Sequence, residues 1–554
     1  MKAPDPSESV VVEVSRRGKL VVGEPYFTPG TPLLLDRKGL GDVSPGDLVI
    51  ARRTRGRARV ERVLGSSKRI EAVLEGLLVE TGALQEFEPY VPPEPSLEGR
   101  VDLRELPAFT IDPETAKDFD DALSIVEDRA YVHIADVGAF VAAGSPLDHG
   151  AARRGFSTYV PGLVAPMLPH ALADELCSLR PNVDRLCVTV EIPFEGQPSF
   201  YRSVIRSNAR LSYGQSARML AGAEPFDLLD ELRRLDERAR ELRRRRFARG
   251  ALRIQTPEIA FEFDGRGGVA SARREGEPEA HALVEEFMIL ANEAVAQLLA
   301  SRNRAALYRV HERPEPQSIA LLLAKLADLE VPTPPAPDAD HLTPQEAERL
   351  AAQTASLVAD YVEQSGRGRE AFPALVLRAL MQARYDPRNL GHSGLASKAY
   401  CHFTSPIRRY PDLVVHRALL NELGLADETL PEELSELGDY LSSREREAAR
   451  VEYRADEICL AWFLDSVLFR EGWETTFPGE IIGAIGSGIF VRFADVFEGF
   501  LPARRLPGDY FELTPLGTAL VGRRGGGTFR LGDPIEVRVE RIDRAAGKVE
   551  LASS

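Results

Sequence analysis

The sequence predicts a multidomain α+β protein in which a central α/β body is flanked by two small β-barrels. Three observations predict it. Short strand-like runs crowd residues 9–65 and 475–554. Helix-period segments fill most of the chain between 226 and 470. The length, 554 residues, is enough for roughly three or four domains at about 100–200 residues each.

In chain order, residues 9–65 read as five strands: SVVVEVSR, KLVVGE, TPLLLD, GDLVIARR and RARVERVL. Gly, Pro and Asp separate them, which suits a small barrel. A helical stretch, SKRIEAVLEGLLVETGAL, follows, and the Pro-rich EFEPYVPPEPSLEGR (86–100) marks a boundary. The body opens on strands, PAFTID, then DDALSIVE and AYVHIADV joined by a turn at Glu127–Arg129. It turns helical at 226–250, where an arginine run reads as a solvated helix face. Further helices are expected at 279–304, 315–330, 343–364 and 369–384, with a loop at 333–344 and a long polar helix at 431–470. About five strands then close the chain around the Gly-rich turn GRRGGG. The expected divisions are a barrel over 1–66, a helical stretch and linker over 67–99, the body with its trailing helix over 100–472, and a second barrel over 473–554. No period of 20–50 residues repeats, which excludes a solenoid.

Composition narrows the function. No run of about 18 apolar residues occurs, so no membrane-spanning helix is expected. MKAPDPSESVVVEV has no basic segment leading into a long apolar one, so no secretory signal is expected. Cys177, Cys187, Cys401 and Cys459 are scattered without a CxxC pair, which argues against a disulfide scaffold or zinc knuckle and for a reducing cytoplasm. Net charge is −16, yet the first 100 and last 80 residues are balanced, so the excess acid falls in the middle. Locally, ARRTRGRARVER (51–62) is strongly basic. It reads either as a solvated strand surface or as a phosphate-contacting face.

The strongest chemical signal is FTIDPETAKDFDDAL (109–123). Asp112 ends one strand and Asp120 and Asp121 begin the next, so an intervening turn carrying Asp118 brings four carboxylates together. Hard divalent cations take oxygen ligands, and like charges this close repel unless neutralised. The spacing lacks the central Gly and the Glu at position twelve of an EF-hand. An acidic surface turn is the alternative.

TIDPETAKDFDDAL resembles the signature of the ribonuclease II/R family of exoribonucleases. Four later segments agree in order: YVPGLVAPMLPHALADELCSLRPNVDRL (159–186), HALVEEFMILAN (281–292), LYRVHERP (307–314) and HFTSPIRRYPDLVVHR (402–417). The resemblance implies an RNB catalytic domain between OB-like barrels, with one or two Mg²⁺ ions held by Asp112, Asp118, Asp120 and Asp121. It implies Asp118, Asp120 and Arg408 as catalytic residues, with Arg409 a structural neighbour. Tyr159 would stack on the RNA 3′ end and Tyr213 would clamp the terminal nucleotides. Glu285, rather than Glu286, would accept a hydrogen bond from a 2′-hydroxyl. Where many relatives carry an aromatic after GALx, this chain has Ile254.

The closing barrel resembles an S-one-type RNA-binding OB-fold. Phe490 and Phe493 are the candidate RNA contacts there, with Phe500, Tyr510 and interleaved Arg492, Arg504 and Arg505. The first barrel resembles one cold-shock-like domain where relatives often carry two, a departure that bears on the length of the RNA channel. The function implied is a processive, Mg²⁺-dependent 3′→5′ exoribonuclease that takes single-stranded RNA to nucleoside 5′-monophosphates in cytoplasmic RNA turnover and processing. Two rivals stand beside it: a relative that binds RNA without cleaving it, and another metal-dependent phosphoesterase. Protein partners are not readable.

Overall fold

The computed structural model describes every residue except 1–8, 37–40, 42, 55–56, 88, 254–257, 276–278, 336–340, 526 and 554. Strands β1 (Ser9–Arg17), β2 (Leu20–Pro25), β3 (Leu33–Leu34), β4 (Asp47–Arg53) and β5 (Ala58–Ser66) form one sheet in the order β3-β2-β1-β4-β5. Its edges meet, because Leu35 bridges to Ala58 and the Asp36 N–H donates to the Ala58 carbonyl at 2.9 Å. Alternation along β1 sends Val12 and Val14 into the barrel with Val49 and Val60. Val11 points the other way, onto α1 (Ile70–Glu80), where it meets Val73, Leu74 and Leu77.

The central body is built on a seven-stranded mixed sheet. It contains β6 (Val101–Asp102), β7 (Phe109–Asp112), β8 (Asp121–Val126), β9 (Arg129–Ala135), β12 (Asp184–Pro193), β13 (Ser199–Arg206) and β14 (Ala209–Ser212), in the order β14-β7-β8-β9-β12-β13-β6. Between β9 and β12 the chain makes α2 (Pro146–Arg154) and a hairpin of β10 (Thr158–Val160) and β11 (Leu163–Ala165). Residues Ile111, Leu123, Ile125, Val132 and Val188 bury one sheet face against α3 (Tyr213–Leu220), α4 (Leu229–Ala248) and α5 (Glu279–Ser301). The alternate residues, Ala122, Ala135, Cys187 and Ile205, pack the opposite face against Leu168, Leu172, Ile407 and Leu413.

A hairpin of β15 (Glu258–Phe263) and β16 (Val269–Glu275) precedes α5. Downstream of α5 lie β17 (Tyr308–Val310), α6 (Pro316–Asp328), α7 (Pro344–Ser365), α8 (Ala371–Ala379), β18 (Arg384–Asp386), α9 (Tyr410–Glu422) and α10 (Leu434–Glu471). The helix expected at 369–384 therefore ends at Ala379. Pairing with β17 and a Tyr385 N–H bond to Ser442 Oγ (2.9 Å) claim residues 384–386 as strand. Tertiary context outweighs local propensity there.

The expected polar helix at 431–470 is instead a spine. Its Leu441 joins the core of the central body, Val451, Ala455, Ile458 and Trp462 join the cluster in which α1 packs against the outside of the first barrel, and Leu464 and Leu468 join the core of the last. The polar remainder of its surface masks three separate apolar contacts. The last barrel is closed, in the order β19 (Thr476–Ile485), β20 (Gly488–Phe493), β21 (Phe497–Pro502), β26 (Lys548–Ser553) and β25 (Pro534–Asp543). A three-stranded sheet, β22 (Phe511–Leu513), β23 (Ala519–Gly522) and β24 (Thr528–Arg530), is inserted into it, an element absent from the sequence expectation. The barrel shares a core with α6, α7 and α8. Glu480 of β19 also accepts the amides that lead into α8, from Arg369 (2.9 Å), Glu370 (3.1 Å) and Ala371 (3.0 Å). At Gly547 φ is +67°, and a Cβ would fall 2.8 Å from Glu457, so the β25–β26 turn sits directly on α10. Among the described residues no helix is long and apolar enough to cross a membrane.

Candidate active site

The aspartates sit where β7 and β8 meet. Asp112 ends β7, Asp121 begins β8, and Asp118 and Asp120 lie on the connecting loop. The loop is pinned from behind by the segment 177–179. The Phe119 N–H donates to Ser178 Oγ (3.0 Å), whose hydroxyl donates to the Lys117 carbonyl (2.7 Å), and the Leu179 N–H donates to the Phe119 carbonyl (2.9 Å). Asp120 is 3% exposed. Its Oδ1 accepts the Ile407 N–H at 2.8 Å, while its Oδ2 is buried without a hydrogen-bond partner, 3.4 Å from Arg408 Nε. Asp112 Oδ2 is likewise buried and unpartnered.

These carboxyls resist ionisation. Burial, then the charge of Asp121, pushes Asp112 up to about 8. Burial lifts Asp121 to about 6 against the pull of Arg408 and Arg409, and lifts Asp120 well above the usual carboxylate range. Oxygen-only donors, two orphaned buried oxygens and mutual repulsion fit a hard divalent cation. Among the described residues no three His, Cys, Asp or Glu side chains converge closely enough to hold a metal ion as they stand.

Arg408 and Arg409 precede α9 and face opposite ways. The Arg408 side chain is 43% exposed and donates to Ser405 Oγ at 3.0 Å. Arg409 turns inward and donates to the buried Asp412 at 2.7 Å, whose same oxygen takes the Ser405 N–H at 2.8 Å. The two arginines thus divide between an open charge and a structural pair.

Tyr159 of β10 donates its hydroxyl to Asp118 Oδ2, and its backbone N–H donates to Glu452 Oε1 of α10 at 2.8 Å. Burial, then Asp118, pushes its phenol up. β14 runs parallel to β7 with Ser212 opposite Asp112, and α3 begins at the next residue, Tyr213. A capping box between Ser212 and Gln215 starts that helix. The Tyr213 ring meets His281 edge-on at 5.2 Å, and burial, then Asp121 and Asp112, pushes its phenol up. Glu285 lies one turn along α5 from His281 and 3.6 Å from Arg246. Its neighbour Glu286 is buried and grips the same guanidinium through three contacts of 2.5, 3.1 and 3.2 Å. Ile254 lies outside the described residues.

The candidate contacts of the last barrel separate. Phe490 is half-buried with its ring 5.1 Å from Phe500. Phe493 is 1% exposed, sandwiched between Phe477 and Phe497 at 5.6 Å each, so the expectation that it meets RNA is corrected: it is core, because β20 alternates and its odd positions face inward. Arg492, Arg504 and Arg505 pair with Glu498 and Glu550. In the basic run, Arg52 and Arg62 pair with Glu61 and Glu75. Sequence reasoning missed Glu452, Ser178 and Asp412. Glu452 lies 293 residues from the Tyr159 amide that it receives, and no local signal marks it.

A family profile described as the RNB domain matches residues 100–424. Ribonuclease R of Escherichia coli (strain K12) is 36% identical over 491 residues, which cover 83% of this chain and 58% of that protein. Ribonuclease R of Aquifex aeolicus (strain VF5) is 35% identical over 559 residues, covering 94% and 76%. The chain thus spans a little over half of the first relative and about three quarters of the second. Among solved structures, Mycoplasma genitalium RNase R in complex with ribose methylated single-stranded RNA is 25% identical, with a TM-score of 0.86 over 99% of this chain and 90% of the other. Yeast Ssd1, described as a pseudonuclease, shares the fold at 17% identity and a TM-score of 0.68.

Proposed function

The chain belongs to the RNB-domain family of the ribonuclease II/R type, and on that premise we propose that it is a processive 3′→5′ exoribonuclease releasing nucleoside 5′-monophosphates from single-stranded RNA. One observation carries the reading. Asp120 presents a buried, unpartnered oxygen beside the open guanidinium of Arg408 and feels the charges of Asp118 and Asp121, while Asp121 in turn acts on Asp112. Without a cation or phosphate such a cluster costs stability, so its presence suits a catalytic role.

In this reading Tyr159 stacks on the 3′-terminal base and Tyr213 closes the other side. Glu285, steadied by Arg246, accepts a hydrogen bond from the 2′-hydroxyl that distinguishes RNA from DNA. Tyr159 also fixes Asp118, since its hydroxyl donates to that carboxylate. Asp112, Asp118, Asp120 and Asp121 would hold one or two Mg²⁺ ions, which supply charge neutralisation and a water of lowered pKa. Attack of water on the terminal phosphorus breaks its bond to the upstream 3′-oxygen. Arg408 takes up charge building on the phosphoryl oxygens. The two barrels retain the shortened strand between cuts, which is the source of processivity. Four free, buried thiols support action in a reducing cytoplasm, in RNA turnover and processing.

The test uses a 5′-labelled 30-nucleotide RNA and its DNA counterpart, each with Mg²⁺ or EDTA, beside Asp120→Asn. Metal-dependent shortening of RNA alone, with mononucleotides released to a short end product, is expected. RNA that stays intact in Mg²⁺ while still retarded on a native gel overturns the reading in favour of a binding protein. Mid-length fragments overturn it in favour of an endonuclease.

A further inference from the structure

Asn292 ends the segment HALVEEFMILAN, seven residues beyond Glu285 on α5. It is 3% exposed, and Leu283, Phe287, Ala291 and Val295 of the same helix are buried in the core against the sheet. A carboxamide in such surroundings costs stability unless its hydrogen bonds are made. Asn292 makes them to residues 400–403. The Phe403 N–H donates to its Oδ1 at 2.9 Å, its Nδ2 donates to the Tyr400 hydroxyl at 3.1 Å, and Cys401 Sγ donates to its carbonyl at 3.5 Å. A backbone N–H only donates, so Phe403 fixes which way the amide faces.

The chain runs from there straight to Arg408 and is tethered along the way. His416 Nε2 donates to the Phe403 carbonyl at 2.8 Å, and the two rings stack at 4.1 Å. The Ser405 N–H donates to Asp412 and the Ile407 N–H to Asp120, each at 2.8 Å. The Arg408 carbonyl accepts the Ser157 N–H at 2.9 Å, two residues before Tyr159. These bonds tie Arg408 to α9, to the aspartate loop and to the strand of Tyr159. Asn292 adds the tie to α5, the helix that carries Glu285. Seven residues of helix set the two side chains about 10 Å apart along its axis.

We infer that Asn292 is a positioning residue: it clasps the segment bearing Arg408 to the helix bearing Glu285, so that the 2′-hydroxyl and the reacting phosphate are met at one fixed spacing. The inference deepens the exoribonuclease reading and rests on it. A contact to the sugar speeds the reaction only if it delivers the phosphate to Arg408 in the reactive geometry, and the clasp supplies that link. Discrimination between RNA and DNA in the chemical step therefore depends on Asn292, which touches neither sugar nor phosphate.

The test is single-turnover hydrolysis in Mg²⁺ of a single-stranded RNA and of the same RNA with 2′-deoxy residues at its 3′ end, beside Kd from anisotropy in EDTA and Tm. Asn292→Leu shares the branched shape of the amide and makes neither side-chain bond. It is expected to lower the rate on RNA by about 10²-fold with Kd nearly unchanged. The ratio of the RNA rate to the deoxy rate is expected to shrink toward one, a non-additivity that reports the link between the two contacts. Asn292→Asp keeps an acceptor for the Phe403 N–H and another for the Tyr400 hydroxyl, and is expected to recover most of the rate and the ratio. If Asn292→Leu does not fold, Tyr400→Phe frees the amide nitrogen and leaves the Phe403 bond, and a smaller ratio is expected there. A folded variant that slows both substrates alike, keeping the wild-type ratio, overturns the inference, since support of the fold alone does that. So does a wild-type rate in Asn292→Leu, or a Kd that weakens in step with the rate. A wild-type chain that leaves RNA intact in Mg²⁺ overturns the exoribonuclease reading and the inference with it, whereas shortening of RNA with an unchanged ratio in the variants overturns the inference alone.

Discussion

Replacing Asp120 by Asn removes one charge and almost no volume. The Asn Oδ1 keeps the 2.8 Å bond from the Ile407 N–H, and the amide nitrogen takes the place of the unpartnered Oδ2. What is lost is the attraction to Arg408 at 3.4 Å, about 5 kcal/mol at an effective dielectric near 20 before the exposure of that arginine is discounted. Any cation held by the cluster loses a ligand charge as well. A fall in kcat of at least ~10³, about 4 kcal/mol of barrier, is expected, with Kd for RNA nearly unchanged. Stability should move the other way. Burial lifts the Asp120 carboxyl well above its ordinary range, so its favourable, protonated form is lost as pH rises through that raised value. In EDTA at pH 8 the variant should therefore melt no lower than wild type. Single-turnover hydrolysis of 5′-labelled RNA, anisotropy and thermal melting read the three quantities. Turnover within tenfold of wild type, in a protein that melts normally, refutes the reasoning. So does a large drop in Tm, which would show that the Ile407 bond was not kept.

The adjacent arginines should part company. Arg408→Ala is expected to lower kcat by about 10²–10³ with the fold intact, whereas Arg409→Ala leaves Asp412 buried and unpaired, costs about 3–5 kcal/mol, and lowers Tm. Phe493→Ala should cost about 3–5 kcal/mol and loosen the last barrel, read as faster amide exchange in β20, with Phe490→Ala costing less. Burial, then Glu452 and Glu258, raises Asp456 to about 7. The stability of its protonated form is complete below about pH 4 and lost as pH rises to about 7, so Asp456→Asn should raise Tm at pH 8 and leave it unchanged at pH 4.

Local signals carried far in the first barrel, where each strand is bounded by its own turn residues and the periods are unmixed. In the aspartate loop they placed the backbone, with Asp112 ending β7 and Asp121 beginning β8, but not the side chains, since among the described residues no three acids converge there. They failed where the decisive partner is remote. The helical reading ran on to residue 384, yet the helix ends at Ala379 and β17 and Ser442 draw Arg384–Asp386 into a strand. Phe490 and Phe493 look alike in FVRF, and only the register of the closed barrel separates half-buried from core. Strands β22–β24 are three or four residues each, too short for a period of two to register. Glu452 sits mid-helix among other acids, and nothing nearby announces that it faces Tyr159.

The long helix that ends the central body has a mechanical consequence. Its 38 residues make a shaft about 57 Å long, with the first barrel seated midway and the last at its far end. One inserted residue would rotate everything beyond it by about 100° and advance it by about 1.5 Å. The last barrel would then be out of phase with the three amides at the start of α8, from Arg369 to Ala371, that Glu480 holds. Length in this helix is therefore an angular setting: the phase between the barrels, and with it the width of the gap through which a strand could thread, is written in the count of residues from Leu434 to Glu471.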